Sequence, residues 1–289
     1  MKQESKVTGI PAGPMLLLLS FIEGGCVMVA ELAGGKMLAP FYGTSLYVWA
    51  STLAITLGGL TIGYYIGGKF SDKALDKRKQ ILFGVIAAAS ALVIVMPAWA
   101  SFVMTRTMEF SFLTGLVFSQ LSFLLLPIMG MGIVSPLIIS LIGESRNPGS
   151  AAGLVYAIST LGGILTTLVT GFWLVPLLGI TVPCIVAGAL LLVAALIVLR
   201  PGSKIPALAL IAILPSLLYF RDTKAQESGK YSLLYYSEGI LGQVKVLEFQ
   251  TGKDGKKVTS RNLLVNHNWQ TWIDKDQPQY SFLYYTRFT

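Results

Sequence analysis

Two carboxylates stand in a segment of the chain that is otherwise apolar. Glu23 and Glu31 lie in the stretch 14–33, where most neighbours are Leu, Val, Ala or Gly. On an α-helix, eight positions place the two side chains about 80° apart around the axis. Because an unpaired carboxylate in lipid is costly, each needs a partner, a cavity or a proton. Glu23 has no evident partner and predicts a substrate or proton site, whereas Glu31 is predicted to pair with Lys36 near the membrane edge.

The other reactive residue types predict no second site. Cys26 and Cys184 both stand in apolar runs, and His267 is the single histidine. These residues provide neither a disulfide framework nor a multi-histidine metal site, so we expect no bound metal. No motif places a Ser, a Cys or an acid beside His267, which is predicted to be a solvated loop residue.

The composition is typical of a membrane protein. Of the 289 residues 54% are AVILMFWYC and only 12% are DEKR, against roughly 25% charged in soluble domains. A hydrocarbon core of about 30 Å needs roughly 20 helical residues. Six apolar runs meet this length: 14–33, 47–68, 81–104, 112–142, 151–175 and 179–199. The fold class predicted is an α-helical polytopic membrane domain over residues 1–220, followed by a small antiparallel β module over residues 221–289.

Two of the apolar segments depart from a simple span. The fourth run is too long for a straight crossing and contains Pro127 and Pro136, which predict a kink. A seventh segment, Ile205–Phe220, has 16 residues with two prolines and is marginal as a span. We therefore expect that it does not complete a crossing and that the β module is cytoplasmic.

Basic residues predict the orientation of the bundle. The connection at 69–79 holds five Lys or Arg residues, whereas the loops at 34–46 and 105–111 hold one each, Lys36 and Arg106. Since basic loops stay inside, the 69–79 loop and the N-terminus are predicted to be cytoplasmic. The chain is expected to be a multi-pass protein of the inner (plasma) membrane.

An internal echo predicts a repeat. Thr56-Leu57-Gly58-Gly59 in the second span recurs as Thr160-Leu161-Gly162-Gly163 in the fifth. Two three-helix repeats of opposite orientation would produce this spacing, although Leu- and Gly-rich helices also repeat such tetrapeptides by chance.

A stripe of glycines marks one face of the second span. Gly59, Gly63 and Gly67 recur every four residues and leave this face nearly free of side chains. A close helix contact is the predicted role, in preference to ligand binding.

After Arg221 charges return and period-two alternation appears. The segments 243–249, 258–265 and 269–273 are predicted strands, separated by turns at 251–256 and 266–268. Asp276 and Pro278 predict the start of a short helix that runs through Tyr285.

Motifs in both parts of the chain occur together in a known family. In the membrane part they are Glu31…Lys36-Met37-Leu38-Ala39-Pro40-Phe41-Tyr42-Gly43, Gly67-Gly68-Lys69…Asp72 and Tyr156-Ala157-Ile158-Ser159-Thr160-Leu161-Gly162. In the tail they are Gly242-Gln243-Val244-Lys245-Val246-Leu247-Glu248 and Leu263-Leu264-Val265-Asn266…Gln270. The first set resembles the membrane part of the fused major-facilitator/spermidine synthase proteins, and the second resembles the N-terminal β module of spermidine synthases. The loop from Gly68 through Asp72 is also similar to a loop signature of major-facilitator transporters.

This resemblance implies polyamine chemistry that the present sequence does not carry out alone. Aminopropyltransferases place decarboxylated S-adenosylmethionine and a polyamine in a Rossmann-like domain with a Gly-rich loop and acidic residues, and no such motif occurs here. Only Gln270 corresponds to a substrate-contacting position of the family. We expect no cofactor and no catalytic residue in this chain, and decarboxylated S-adenosylmethionine only where a missing or separately encoded catalytic domain is supplied.

Three functions remain open at this point. The first is the membrane half of a spermidine synthase-like system. The second is a small transporter in which Glu23 and Glu31 bind a polyamine or another cation. The third is a scaffold with neither activity. The lipid bilayer is an expected partner in each case, and nucleic acid is expected in none.

Overall fold

The computed structural model describes residues 13–199, 231–239, 242–253, 256–265 and 268–277. The first range forms a bundle of helices and the others form one β-sheet. The marginal segment 205–220, the turn residue His267 and the short helix predicted from Pro278 onward lie outside the described residues.

The predicted polytopic membrane fold is confirmed, because six helical segments are long and apolar enough to cross a bilayer. The first helix is longer than predicted and continues past Lys36 and through Pro40. The helices are α1 (Gly13–Tyr42), α2 (Leu46–Ser71), α3 (Leu75–Thr107), α4 (Phe112–Phe123), α5 (Leu125–Gly143), α6 (Pro148–Val169), α7 (Val175–Leu178) and α8 (Thr181–Leu199).

The fourth span is interrupted, as its prolines predict. It divides at Leu124 into α4 and α5. Because Pro127 has no N–H, the carbonyl of Phe123 loses its usual partner four residues later, and the helix breaks one residue beyond that carbonyl.

The fifth span ends in an irregular stretch. A π-helical turn, Thr170–Leu174, joins α6 to α7, which contains Pro176. Gly179 then adopts a φ of 75°, a left-handed conformation that glycine reaches without strain, and the chain reverses into α8.

The bundle has two distinguishable ends. At the first, Arg78 donates a hydrogen bond to the Ser140 carbonyl at 3.2 Å and pairs with the Glu144 carboxylate. We call this the basic end, since it carries the 69–79 loop. At the opposite end, the Tyr42 hydroxyl donates to Thr107 Oγ1 at 2.7 Å. Because α6 begins beside the basic end and crosses the bundle, α7 lies at the opposite end.

The helix contacts follow the pattern that two inverted repeats predict. If α5, α6 and α8 repeat α1, α2 and α3, the extensive contact of α2 with α5 corresponds to that of α1 with α6, and both are present. The contact of α3 with α5 likewise corresponds to that of α8 with α1.

The same shift of 104 residues, from Thr56 to Thr160, relates individual contacts. A Cβ on Gly59 would lie 3.0 Å from Ile128 Cγ2, and one on Gly163 would lie 3.4 Å from the carbonyl of Gly24, the residue equivalent to Ile128. The structure therefore supports the repeat that the tetrapeptide indicates.

The described residues after position 230 form a four-stranded antiparallel sheet in the order β1-β2-β3-β4. Strands β2 (Gly242–Lys253), β3 (Lys256–Val265) and β4 (Asn268–Asp274) contain the three predicted strands. The first strand, β1 (Tyr231–Gly239), was not predicted. Its alternation is broken where the pairing register shifts between Leu233 and Tyr235, which explains why period two is not visible there.

Charged side chains link the last strands of the sheet. Glu248 on β2 accepts a hydrogen bond from Arg261 on β3 at 2.9 Å and another from Lys275, just after β4, at 3.2 Å. The bond from Arg261 and then the bond from Lys275 lower the pKa of the Glu248 carboxyl below its ordinary value. This cluster fixes the register of three chain segments on one face.

The sheet contacts the bundle at α7 and α1. Strand β1 packs on α7, and β2 contacts α1. Since α7 lies opposite the basic end, the sheet and the 69–79 loop are at different ends of the bundle. The expected cytoplasmic location of the β module stays a prediction.

Candidate functional site

Glu23 is buried in the middle of the bundle. Its side chain on α1 is only 2% exposed. Its Oε2 accepts hydrogen bonds from Ser135 Oγ on α5 at 3.4 Å and from Ser159 Oγ on α6 at 3.3 Å. Among the described residues the ion pairs all lie elsewhere: Arg78–Glu144, Lys79–Asp76, Arg261–Glu248 and Lys275–Glu248. Two long hydrogen bonds from neutral hydroxyls leave the carboxylate able to accept further donors.

A cavity of about 380 Å³ lies next to Glu23, between α1, α2 and α6. Its other polar lining comes from the hydroxyl groups of Tyr64, Ser159, Thr160 and Thr167. The remaining lining is apolar or glycine: Gly24, Val27, Met28, Leu60, Gly163, Ile164 and Leu168. The cavity therefore combines one acidic group with a mostly apolar wall, as small-molecule sites generally do.

Small residues bring α6 close enough to α1 for Ser159 to reach Glu23. A Cβ on Gly25 would lie 2.6 Å from Thr166 Oγ1, and one on Gly163 would lie 2.9 Å from Met28 Cγ. These distances are too short for real side chains, so glycine is required where the two helices cross.

The cavity lies at the interface between the two repeats. Under the shift of 104 residues, its lining residues Leu60 and Ile164 are equivalent, and so are Tyr64 and Leu168. The shift takes Glu23 to Pro127, so the carboxylate occurs in the first repeat alone. The cavity is therefore lined by equivalent residues of the two repeats, but its carboxylate comes from one repeat.

The cavity is reached from the side of the bundle. It lies between α2 and α6, the two least buried of the six spans. Tyr64, Ile164 and Leu168 are 37%, 54% and 46% exposed, and the rings of Tyr64 and Tyr156 meet edge to face with centroids 6.4 Å apart. A molecule in the bilayer can approach the cavity between these two helices.

Glu31 does not belong to this site. It is half-buried on α1 and does not line the cavity. The predicted pair with Lys36 is absent from the ion pairs of the described residues. The two residues are five positions apart on one helix, which puts their side chains about 140° apart around its axis.

The predicted glycine stripe packs helices, as expected. Gly59, Gly63 and Gly67 are buried against α5, where a Cβ on Gly67 would lie 2.7 Å from the Ile133 carbonyl oxygen. Asp72 follows the last turn of α2 at the basic end. Gln270 lies exposed on β4 of the sheet, so the structure does not bring it together with Glu23.

Other polar residues of the spans bond helix to helix. Gln120 Nε2 on α4 donates to Ser51 Oγ at 3.0 Å and to Thr52 Oγ1 at 3.1 Å on α2. By contrast, the hydroxyl residues Tyr64 and Thr160 line the cavity. Ser135 and Ser159, the hydroxyls nearest Glu23, were missed as its partners, because serine is common in membrane helices and no sequence pattern connects either position with Glu23.

Within the described ranges no group of three His, Cys, Asp or Glu side chains is placed to hold a metal ion. Comparison of the chain with protein-family models, with curated proteins and with solved structures finds no match. The site geometry is therefore the basis for a functional conclusion.

Proposed function

We propose that the protein is a membrane carrier that binds a small cation at Glu23. The observation that supports this most directly is the buried carboxylate beside a cavity at the interface of two inverted repeats. Substrate sites of secondary transporters lie at this place, near mid-membrane between repeats of opposite orientation. The candidate substrates are amines, a class that includes the polyamines implied by the sequence resemblance.

The chemistry of the site fits a positive charge. In an apolar surrounding a carboxylate is stabilised by a cation or by a proton. Ser135 and Ser159 each donate to Oε2 and hold the carboxylate in place. An ammonium group in the cavity would donate to the same carboxylate while the neighbouring hydroxyls accept its other N–H groups.

If the Glu23 carboxylate is neutralised by either a cation or a proton, but not by both at once, the protein exchanges cations for protons. When the cation binds, the proton on Glu23 leaves, and when the cation departs, a proton returns. Each transport cycle would then move one cation against one proton. The two repeats supply equivalent helices that could open the cavity toward either side in turn.

The proposal includes an orientation of the helix bundle in the membrane. The five basic residues of the 69–79 loop favour a cytoplasmic basic end. The contact between β1 and α7 then favours a sheet on the outer face.

Uptake into vesicles tests the carrier function. The purified chain is reconstituted into liposomes with an acidic interior, and entry of radiolabelled methylammonium is compared with entry into protein-free liposomes. Because protein-free lipid passes neutral methylamine, the initial rate is measured with and without excess unlabelled methylammonium. We expect a saturable component for wild type and for Glu31→Gln, and its loss in Glu23→Gln.

Glu31→Gln is the matched control, since it makes the same change on the same helix outside the cavity. A saturable component of equal size in all three proteins would contradict a role for Glu23. Absence of any saturable uptake of methylammonium, hexylammonium, putrescine or Na⁺ by wild type would contradict the carrier function itself.

A second candidate is the membrane half of a spermidine synthase-like system. The four-stranded antiparallel sheet favours it, because the resembled family places a β module before its catalytic domain. In this arrangement the sheet docks a catalytic domain, and the bound amine in the membrane is a substrate or product of that domain. An aminopropyl-transfer activity that appears only when the catalytic domain is added would favour this candidate over the carrier.

A further inference from the structure

We infer that the cavity selects an organic amine with a single positive charge and an apolar body, in preference to a polyamine or a bare metal cation. This inference rests on the proposed binding of a cation at Glu23 and specifies its substrate class. It follows from the charge, the donor atoms, the size and the access route of the cavity.

The charge of the cavity matches one ammonium group. Among the described residues that line the cavity, Glu23 is the one carboxylate, and the other polar groups there are neutral hydroxyls. Glu31 is about 12 Å further along α1, at 1.5 Å per residue, and does not line the cavity. A second ammonium group inside this cavity would have no counter-charge in an apolar surrounding.

The donor atoms do not suit a bare alkali or alkaline-earth cation. Such ions take about six or more oxygen ligands. The helical carbonyls along this wall are engaged in the backbone hydrogen bonds of α1, α2 and α6, which leaves one carboxylate and scattered hydroxyls. An alkylammonium group needs at most three acceptors and is satisfied by fewer oxygens.

The remaining wall suits a hydrocarbon body. Val27, Met28, Leu60, Ile164 and Leu168 contribute apolar surface, and Tyr64 adds an aromatic ring able to contact a cation or an alkyl chain. The volume of about 380 Å³ is in the lower part of the range of about 300–1,000 Å³ for small-molecule sites. Access between α2 and α6 also suits an amine that partitions into lipid.

A series of ligands with six carbons tests this class. The full chain in phosphatidylcholine nanodiscs is titrated with hexylamine, 1,6-diaminohexane, hexan-1-ol and NaCl, and the unfolding temperature reports binding. For wild type we expect hexylamine to bind at least about tenfold more tightly than the diamine, the alcohol or Na⁺. Glu23→Gln should lose this preference, whereas Glu31→Gln should keep it.

A second variant pair covers the case in which Glu23→Gln fails to fold. Ile164→Trp fills the cavity without touching the carboxylate and should abolish hexylamine binding, while Leu161→Trp, on an exposed position of the same helix outside the cavity, should preserve it. Equal or tighter binding of the diamine, stabilisation by Na⁺ alone, or hexylamine binding unchanged by Ile164→Trp would overturn the inference.

The outcomes separate this inference from the carrier function. Hexylamine binding without saturable uptake would contradict the carrier and leave the ligand class in place. Saturable uptake that prefers the diamine would contradict the ligand class and leave the carrier in place.

Discussion

Glu23 makes the two structural repeats chemically different. The position equivalent to Glu23 in the second repeat is Pro127, which breaks the fourth span instead of contributing a charge. The first repeat therefore contributes the carboxylate, and the second contributes a helix break at Leu124, which packs beside Gly34 of α1. One carboxylate among the described lining residues of the cavity also limits the cation to one compensated charge.

Two glutamates on one helix have different surroundings because of what packs around them. Glu23 is enclosed by α5 and α6, whose serines reach its carboxylate, whereas Glu31 is half-buried and outside the cavity. Their positions on α1 alone do not distinguish them. The difference arises from the glycines that draw α6 onto α1 near Glu23.

At the scale of helices, glycine determines which pairs pack closely. The contact of α2 with α5 relies on a glycine stripe, and the contact of α1 with α6 relies on Gly24, Gly25, Gly162 and Gly163. Lipid offers no hydrophobic drive for helices to associate, so close backbone approach and dispersion hold these pairs together.

Neighbouring glycines of α2 test this packing. Gly67→Ala puts a Cβ 2.7 Å from the Ile133 carbonyl oxygen, whereas Gly68→Ala meets nothing within 4 Å. We expect Gly67→Ala to lower the free energy of unfolding by about 1–3 kcal/mol. Gly68→Ala should leave it unchanged or raise it by up to about 1 kcal/mol, since alanine favours a helix.

Equilibrium unfolding of both variants in one detergent, by titration with sodium dodecyl sulfate, measures these free energies. The two alanine variants share a helix and differ by one position, so general effects of the substitution cancel. Equal stability of the two variants would show that α2 and α5 are not held as closely as described.

The spans and the glycine stripe were predictable because each depends on local composition. Runs of uncharged residues define the six helices, Pro127 explains the break at Leu124, and the echo of Thr56 at Thr160 indicates the repeat. The partners of Glu23 were not predictable, because Ser135 and Ser159 are more than one hundred residues away in the chain. The predicted pair of Glu31 with Lys36 was wrong because a five-residue spacing turns the side chains apart.

The sheet was predicted in part for a similar reason. Regular alternation identifies β2, β3 and β4, whereas the register shift in β1 hides that strand. Its placement opposite the basic end depends on contacts with α7 and α1, which no local pattern encodes.

At the scale of the whole molecule, the position of the sheet bears on the proposed topology. The basic end carries the charged loop, and the sheet contacts the other end. The account therefore predicts that the sheet is exposed outside the cell while the 69–79 loop is inside.

Cysteine labelling in intact cells measures this topology. Single cysteines replace Lys73 or Asp276, both exposed, in a background with Cys26→Ala and Cys184→Ala. A membrane-impermeant maleimide should modify the Asp276→Cys protein in intact cells and the Lys73→Cys protein only after the cells are opened. Protection of both sites in intact cells would put the sheet in the cytoplasm and contradict the proposed topology.

The most direct measurement of the central claim asks whether an amine occupies the cavity at Glu23. Dicyclohexylcarbodiimide enters apolar regions and adds to protonated carboxyl groups, and mass spectrometry of the membrane-embedded protein locates the adduct. The account predicts an adduct on Glu23 that hexylamine suppresses and hexan-1-ol does not, while any adduct on Glu31 is unaffected by either ligand. An adduct on Glu31 without one on Glu23, or a Glu23 adduct that hexylamine leaves unchanged, would contradict it.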